Sequence, residues 1–146
     1  MNELAKMGMV LGVAALPWGE VIFAIPLGIA LGLHGAAVFA VAVVGNIASV
    51  LALILGLSRW PWVRDILVRR GRSPRVDRMM ARYGVAGLSA QAPIISGGHM
   101  AVLAALFLGA NVRSVAVWLP ISIICWGAAI TFLATQGKQL VFGLLG

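Results

Sequence analysis

Charged residues are scarce in this sequence, and acidic residues are the scarcest of them. Only four of the 146 residues are Asp or Glu, charged residues make up 10%, and the mean hydropathy is +1.04. A soluble domain of this size could not bury 62% hydrophobic residues in its core, so too much apolar surface would face water. The composition excludes a soluble globular protein and predicts a small integral membrane protein.

Residues that build catalytic and metal sites are scarce as well. The chain has one cysteine, Cys125, and two histidines, His34 and His99. A single cysteine excludes an intrachain disulfide and a cysteine metal cluster. The sequence also has no metal-ligand spacing, no nucleophile paired with a base and no phosphate-binding loop followed by a lysine. We therefore predict no enzyme activity, no metal and no cofactor.

The basic residues are concentrated in one segment. Eight of the eleven Lys and Arg residues lie from Arg59 to Arg82, between long apolar runs. The positive-inside rule explains this distribution as a cytoplasmic loop, which argues against a nucleic-acid partner. We predict a pair of interfacial helices here, the first starting at Pro61 and the second at Ser73-Pro74.

The arginines of this segment have two interpretations. In the simpler one they set the topology and contact anionic lipid; in the other they bind a substrate headgroup. The candidates for interfacial lipid binding are Arg69, Arg70, Arg75, Arg78 and Arg82.

The lengths of the charge-free runs do not fit plain membrane spans. Residues 7–19, 21–58, 83–112 and 114–137 form runs of 13, 38, 30 and 24 residues, whereas a spanning helix needs about 20. The second run breaks at residues 32–35, which leaves a spanning helix near residues 36–57. The third run breaks at residues 93–98. The same order, two short segments followed by one long segment, therefore occurs twice along the chain.

This pattern predicts an all-α integral membrane protein built as an inverted repeat. Each repeat is a re-entrant helical hairpin followed by one transmembrane helix. The single transmembrane domain, residues 1–146, divides into a first half (1–58), the basic interfacial segment (59–82) and a second half (83–146). The alternative is four ordinary spans near residues 7–31, 36–57, 84–109 and 115–135.

Glu20 is the one carboxylate deep in apolar sequence, since the next charged residue is Arg59. A charged carboxylate in hydrocarbon costs a few kcal/mol, so Glu20 is predicted to face a cavity or a partner and to bind and release a proton. The alternative is a structural role as a helix cap or as the counter-ion of a basic residue. The other candidates for this proton or substrate site are Pro26, Asn46, Gln91, Pro93, Ser96, Gly97, Gly98 and His99.

Each of these candidates has a packing alternative. Pro17 and Pro26 are expected to delimit the first hairpin tip, or only to kink a helix. A helix starting near Ser96 would aim free N–H groups at an anion. His99 is expected to sit deep and to share protons with Glu20, or else to be a packing histidine. Asn46 lines the cavity or bonds a neighbouring helix.

Several short motifs occur in a set order along the chain. Glu20 precedes Pro26-Leu27-Gly28, and these are followed by Gly45-Asn46, Arg82-Tyr83-Gly84, Ala92-Pro93, Ser96-Gly97-Gly98 and Leu108-Gly109. Over residues 19–137 this order resembles the small multidrug export protein family, a relative or structural analogue of the DedA membrane proteins. The resemblance implies re-entrant hairpins in an inverted repeat. It assigns site positions to Glu20, Pro26, Asn46, Pro93 and Gly98.

The chain departs from that family pattern at two places. Ile22 stands where the family commonly has an arginine, and Ile95-Ser96-Gly97-Gly98 stands where a Pro-Gly-Thr-Gly tip is expected. Without the arginine, the first hairpin lacks an ion-pair partner and an anion ligand. The resemblance implies an exporter or, by the DedA analogy, a translocator of lipid carriers such as undecaprenyl phosphate.

We therefore predict a small, multi-pass, proton-coupled exporter of the bacterial inner (cytoplasmic) membrane, with a midplane site formed by two hairpin tips. The predicted partners are membrane lipid, a small-molecule or lipid substrate, and a second copy of the chain in a homodimer or larger homo-oligomer. Two alternatives stay open. One is a lipid-phosphate translocator that depends on the interfacial arginines, and the other is a non-transporting subunit of a larger membrane complex that tolerates Glu20→Gln.

Overall fold

The computed structural model describes residues 2–60, 74–95 and 97–145, and these ranges are helical with no strand. The helices are α1 (Glu3–Ala15), α2 (Glu20–Ala30), α3 (Gly35–Ser58), α4 (Pro74–Ile95), α5 (Gly98–Phe107) and α6 (Val112–Leu145). The predicted all-α class is confirmed over the described residues. The predicted interfacial helix at Pro61, with Arg69 and Arg70, lies outside them, as does Ser96.

Two of the described helices are long and apolar enough to cross a membrane. They are Gly35–Ser58 and Val112–Gln139, chosen by length and composition alone. At 1.5 Å per residue the 24 residues of α3 span about 36 Å, more than the roughly 30 Å of hydrocarbon in a bilayer. The predicted span near residues 36–57 agrees with α3 to within one residue at each end.

The chain divides into two compact units. Unit 1 consists of residues 1–48 and 123–146, and unit 2 of residues 49–122. Unit 1 therefore holds the helices α1 and α2, the first part of α3 and the last part of α6. Unit 2 holds the end of α3, the helices α4 and α5, and the start of α6. The predicted single domain is divided into three segments that follow one another along the chain, which is not the division into these two units. It stays a prediction.

In unit 1, the helices α1 and α2 form an antiparallel hairpin. The Nζ of Lys6, near the start of α1, donates a hydrogen bond to the Leu31 carbonyl at the end of α2, at 2.7 Å. The helices have 13 and 11 residues, so they are about 20 and 16 Å long. The alternative of one continuous span over residues 7–31 is wrong, because the chain turns back at residues 16–19.

Glycines allow the hairpin to pack closely against α3. A Cβ at Gly28 would lie 2.7 Å from both methyl groups of Val38, and a Cβ at Gly45 would lie 2.8 Å from Leu11 Cδ1. Small residues at helix contacts are the usual solution in membranes, where backbones must approach closely to gain van der Waals energy. Gly28 and Gly45 thus fix the hairpin on one face of α3.

The last part of α6 runs antiparallel to the first part of α3 within unit 1. Gly127 lies against Val43, and Gly35 lies against Thr135. Gly127 is buried, while the following Ala128 and Ala129 are exposed. Among these three small residues, only Gly127 therefore packs against a neighbouring helix in the interior.

In unit 2, α4 and α5 pack against each other as the second hairpin. The helix α4 is bent at Gly84, whose φ of 59° and ψ of −173° are open essentially to glycine alone. The bend separates residues 74–83 from residues 85–95. The predicted break over residues 93–98 is wrong at its start, because the helix continues through Pro93 to Ile95. A proline removes only one intrahelical hydrogen bond, which membrane helices tolerate.

The two hairpins end in turns with the same backbone geometry. Gly32 follows α2 with a φ of 81°, and Gly109 follows α5 with a φ of 74°. In each turn the next residue donates its N–H to the carbonyl five positions back, at 3.1 and 2.9 Å, as in a Schellman motif. The long helices then begin at Gly35 and Val112. Corresponding positions are 77 residues apart, so the local structure of hairpin, turn and long helix occurs twice.

Candidate functional site

Glu20 lies buried at the tip of the first hairpin. It is the first residue of α2, and its exposed fraction is 3%. Its φ is 47°, which makes it the single non-glycine residue with a positive φ in the part of the chain that the structure describes. Left-handed backbone costs a residue with a Cβ about 1–2 kcal/mol. Such strained conformations concentrate at functional sites.

The tip itself is tightly wound, and this explains the backbone of Glu20. The Leu16 carbonyl accepts the N–H groups of both Gly19 and Glu20, at 3.1 and 3.4 Å. The Gly19 backbone lies so close to the Val13 carbonyl that no Cβ fits there. The chain must therefore enter α2 within a few residues of leaving α1, and Glu20 takes the left-handed conformation that this requires.

The second hairpin has a glycine at the equivalent position. Gly97 comes 77 residues after Glu20, just before α5, and its φ is 77°. Glycine adopts this conformation without a steric penalty. The two tips therefore share a positive φ, and the first tip carries a carboxyl group where the second has no side chain.

Asn46 is the other buried polar side chain described in unit 1, with no exposed surface. It follows Gly45, which lies against Leu11 and Ala14 in the last turns of α1. This contact places Asn46 toward the tip end of the hairpin, at the level where Glu20 begins α2. Pro26, in contrast, is exposed inside α2. The prediction that Pro26 delimits the tip is wrong, because the turn covers residues 16–19 and α2 runs through the proline.

In unit 2, three predicted site residues are buried near the second tip. Pro93, Gly98 and His99 are buried, and Gly97 is partly exposed. Gln91 lies exposed on α4. The helix expected to start near Ser96 starts at Gly98. Glu20 and Asn46 belong to one unit and His99 to the other, so the predicted proton sharing between Glu20 and His99 stays a prediction.

Two buried serines in unit 2 were not among the predicted site residues. Ser89 and Ser122 are 4% and 7% exposed, and the Ser122 hydroxyl has no hydrogen-bond partner among the described residues. Ser89 borders a cavity of about 50 Å³, which is large enough for water. The signal in the sequence is a lone small polar residue inside an apolar run. The cavity is lined by Leu88, Ser89, Ala101, Ala104, Ala105, Val115 and Leu119.

The predicted second interfacial helix begins at Pro74 as expected, but only its last residues have described side chains. Arg82 is exposed, and its guanidinium lies 5.6 Å from the centre of the Tyr83 ring. This is the distance of a cation–π contact. Arg75 and Arg78 lie in the helical part of α4 before the bend, and their role in lipid binding stays a prediction.

One comparison with known proteins identifies the family. A family model described as "Putative small multi-drug export protein" matches residues 20–129, which are 110 of the 146 residues. The chain belongs to this family. No curated protein and no solved structure matches it. The resemblance found in the sequence is thus confirmed, and the small multidrug export family is described by transport, not by an enzyme activity.

Together with the two long apolar helices, the family description supports a membrane protein with a transport function. The matched range begins at Glu20 and ends within α6. It covers both hairpin-end turns and all the predicted site residues from Glu20 to His99. In the described ranges no group of three or more His, Cys, Asp or Glu residues could hold a metal ion.

Proposed function

We propose that this small multidrug export protein is a proton-coupled exporter in which Glu20 carries the proton. The observation that supports the proposal is the combination of burial and backbone strain at Glu20, at 3% exposure and a φ of 47°. Burying a carboxylate costs free energy, and so does its left-handed backbone. Glycine at position 20 would avoid both costs, so the carboxyl group itself is what the tip requires.

The proton cycle follows from the chemistry of a buried carboxyl group. A carboxyl group is neutral when protonated and charged when ionised, and the charged form favours water or a cationic substrate beside it. Asn46 lies at the same level of unit 1, and an amide can donate to the ionised form and accept from the protonated one. Protonation then changes which conformation is favoured, as alternating access requires.

The hairpin lengths support a re-entrant arrangement. Helices of about 20 and 16 Å cannot each cross roughly 30 Å of hydrocarbon. We place the apolar tip, with Glu20, inside the membrane and the open end of the hairpin, with the charged Lys6, at the surface. The repeat at a spacing of 77 residues supports two such hairpins. Their inverted orientation and a midplane site that uses both tips are predictions from the sequence.

The remaining parts of the proposal concern the surroundings of the protein. We place it as a multi-pass protein of the bacterial inner membrane, with basic segment 59–82 on the cytoplasmic side against anionic lipid. A homodimer or larger assembly would cover the hairpins on their exposed sides. The substrate class is a small molecule, tested below with an organic cation as the probe.

The test is transport of ethidium by purified protein in liposomes with an imposed pH gradient. We expect the wild-type protein to move ethidium in response to the gradient and Glu20→Gln to show only the rate of protein-free liposomes, since glutamine cannot exchange a proton. Glu3→Gln is the matched control, because Glu3 is an exposed carboxylate on α1. It is expected to transport like the wild type.

Three results would overturn the proposal or redirect it. Wild-type transport and pH dependence in Glu20→Gln would rule out the proton role. Movement of a fluorescent lipid phosphate without movement of ethidium would favour the lipid-phosphate translocator. No transport of either probe, with normal assembly of Glu20→Gln, would favour a subunit of a larger complex.

A further inference from the structure

Two lysines from distant parts of the chain bind the last turn of α2. Lys6 Nζ donates to the Leu31 carbonyl at 2.7 Å, and Lys138 Nζ donates to the Ile29 carbonyl at 3.3 Å. The last carbonyls of a helix lack donors from a further helical turn, although the Ile29 carbonyl also accepts the Gly32 N–H at 3.1 Å, and the helix dipole is negative at this end. Both lysines therefore stabilise the C-terminal end of α2, one from α1 and one from α6.

The helix α2 is short, and six of its residues between Glu20 and Ile29 are buried. It has 11 residues, and Pro26 in its interior removes one of its few hydrogen bonds. Gly28 packs against Val38 and Val10 without room for a methyl group, which fixes its distance from the neighbouring helices. The two lysine hydrogen bonds add to this packing a pair of contacts at the C-terminal end of the helix.

Glu20 and the lysines are at opposite ends of this short helix. The distance along α2 is about 16 Å. Because α2 is one short helix, a shift of its C-terminal end along the helix axis is passed on to Glu20 at the other end. Because the hairpin tip is tightly wound, a small movement changes how the carboxyl is buried.

The second hairpin lacks this arrangement over the described residues. The position equivalent to Lys6 is Tyr83, 77 residues later, and no described side chain donates to the last turn of α5. That hairpin also has Gly97 where the first has Glu20. Within what the structure describes, lysine contacts and the carboxyl group thus occur in the same hairpin.

We propose that Lys6 and Lys138 are positioning residues for Glu20, holding α2 so that its carboxyl stays buried at the tip. The effect of the two lysines on transport rests on the proposed function. Their effect on the environment of Glu20 is independent of that function, and the experiment measures this environment.

The experiment is carbodiimide labelling of the protein in liposomes. Dicyclohexylcarbodiimide is apolar and reacts with protonated carboxyl groups in apolar sites, and mass spectrometry of the peptides reports the rate at Glu20 separately from the other acids. The rate is measured across pH for the wild type, for Lys6→Met with Lys138→Met, and for Lys6→Arg with Lys138→Arg. Arg113→Met, which removes an exposed cation elsewhere, is the matched control.

We expect the double methionine variant to change the labelling rate of Glu20 several-fold and to shift its pH profile. The double arginine variant should restore both, because arginine also donates to carbonyls, and Arg113→Met should match the wild type. Lys138→Met alone loses only the longer contact and should give a smaller change in the same direction. This single variant replaces the double variant in the experiment if the double variant does not fold.

A wild-type labelling profile in folded methionine variants would overturn the proposal and leave the lysines as helix caps only. The same conclusion follows if the double arginine variant has the wild-type melting temperature but its Glu20 labelling profile still differs from that of the wild type. Failure of the proposed function is separate, since it would show as normal transport by Glu20→Gln whatever the labelling result.

Discussion

At the scale of single residues, the backbone of Glu20 adopts a conformation that costs free energy for any side chain with a Cβ. In an ordinary helix alanine is more stable than glycine by about 0.5–1 kcal/mol. At a φ of 47° the order is reversed, because only glycine enters the left-handed region freely. At position 20, therefore, glycine would suit the backbone best, whereas the carboxyl chemistry requires glutamate.

We predict that Glu20→Gly is more stable than Glu20→Ala by about 1 kcal/mol. Both variants lose the carboxyl group, so the difference reports the backbone alone, and neither variant should transport. The measurement is the free energy of unfolding in mixed micelles. Gly12→Ala in α1 is the control, since no atom lies within 4 Å of its added Cβ and alanine should stabilise there. Greater stability of Glu20→Ala would contradict the strain.

The sequence identifies Glu20 because a lone carboxylate in an apolar run is visible without a structure. Its positive φ is not visible, since it follows from the contact of Gly19 with the Val13 carbonyl. Lys6 and Lys138 were missed for a similar reason. Nothing local marks them, and their shared target on α2 appears only when residues 109 positions apart come together.

At the scale of helices, close packing in unit 1 depends on glycines that leave no room for a methyl group. Gly28 faces Val38 and Val10, Gly45 faces Leu11, and a Cβ at either glycine would come within 3.0 Å of its neighbours. Adding a methyl group at such a contact forces the helices apart. The short hairpin has little other area with which to compensate.

Gly28→Ala is expected to lower the free energy of unfolding by about 1–3 kcal/mol. The reason is the 2.7 Å approach of its Cβ to both methyl groups of Val38. Gly8→Ala is the control, because nothing lies within 4 Å of its Cβ. Adding Val38→Ala to Gly28→Ala should restore part of the loss, and the unfolding curves of the four proteins check this. Equal stability of Gly28→Ala and Gly8→Ala would show that the contact is not tight.

The sequence predicts the helices better than it predicts their breaks. The span α3 follows from a long charge-free run after a Gly-rich break, and it is found within one residue of its predicted ends. Pro26 lies inside α2 and does not delimit the tip, and the break predicted over residues 93–98 comes later than Pro93, between Ile95 and Gly98. The first hairpin ends at Gly32, within the break predicted over residues 32–35, and the second ends at Gly109, both at positive φ. A membrane helix tolerates a missing hydrogen bond more readily than a wrong backbone angle.

At the scale of the whole molecule, the contacts of α2 bear on the topology. Lys6 and Lys138 bind the same end of α2, so residues near both ends of the chain lie on one side of unit 1. The re-entrant proposal puts that side outside the cell and Arg113 inside with the basic segment. Four plain spans would reverse all three positions.

The topology is checked with single cysteines introduced as Leu4→Cys, Gln139→Cys and Arg113→Cys in a Cys125→Ser background. These sites are exposed and leave both lysines in place. With a membrane-impermeant thiol reagent on intact cells, we expect labelling at positions 4 and 139 and none at 113. Labelling at 113 alone would contradict the re-entrant proposal, and a difference between 4 and 139 would contradict the structure of unit 1.

The division into units also sets an order of assembly during biosynthesis. Unit 2 is one continuous stretch, residues 49–122, whereas residues 1–48 need residues 123–146 to complete unit 1. At about 5–20 residues per second, the 109 residues between Ile29 and Lys138 take roughly 5–20 s to translate. For that time the first hairpin must persist in the membrane without the helix that completes its unit. Unit 1, which contains the hairpin made first, is therefore completed after unit 2. Until then the insertion machinery or the surrounding lipid has to cover the exposed face of that hairpin.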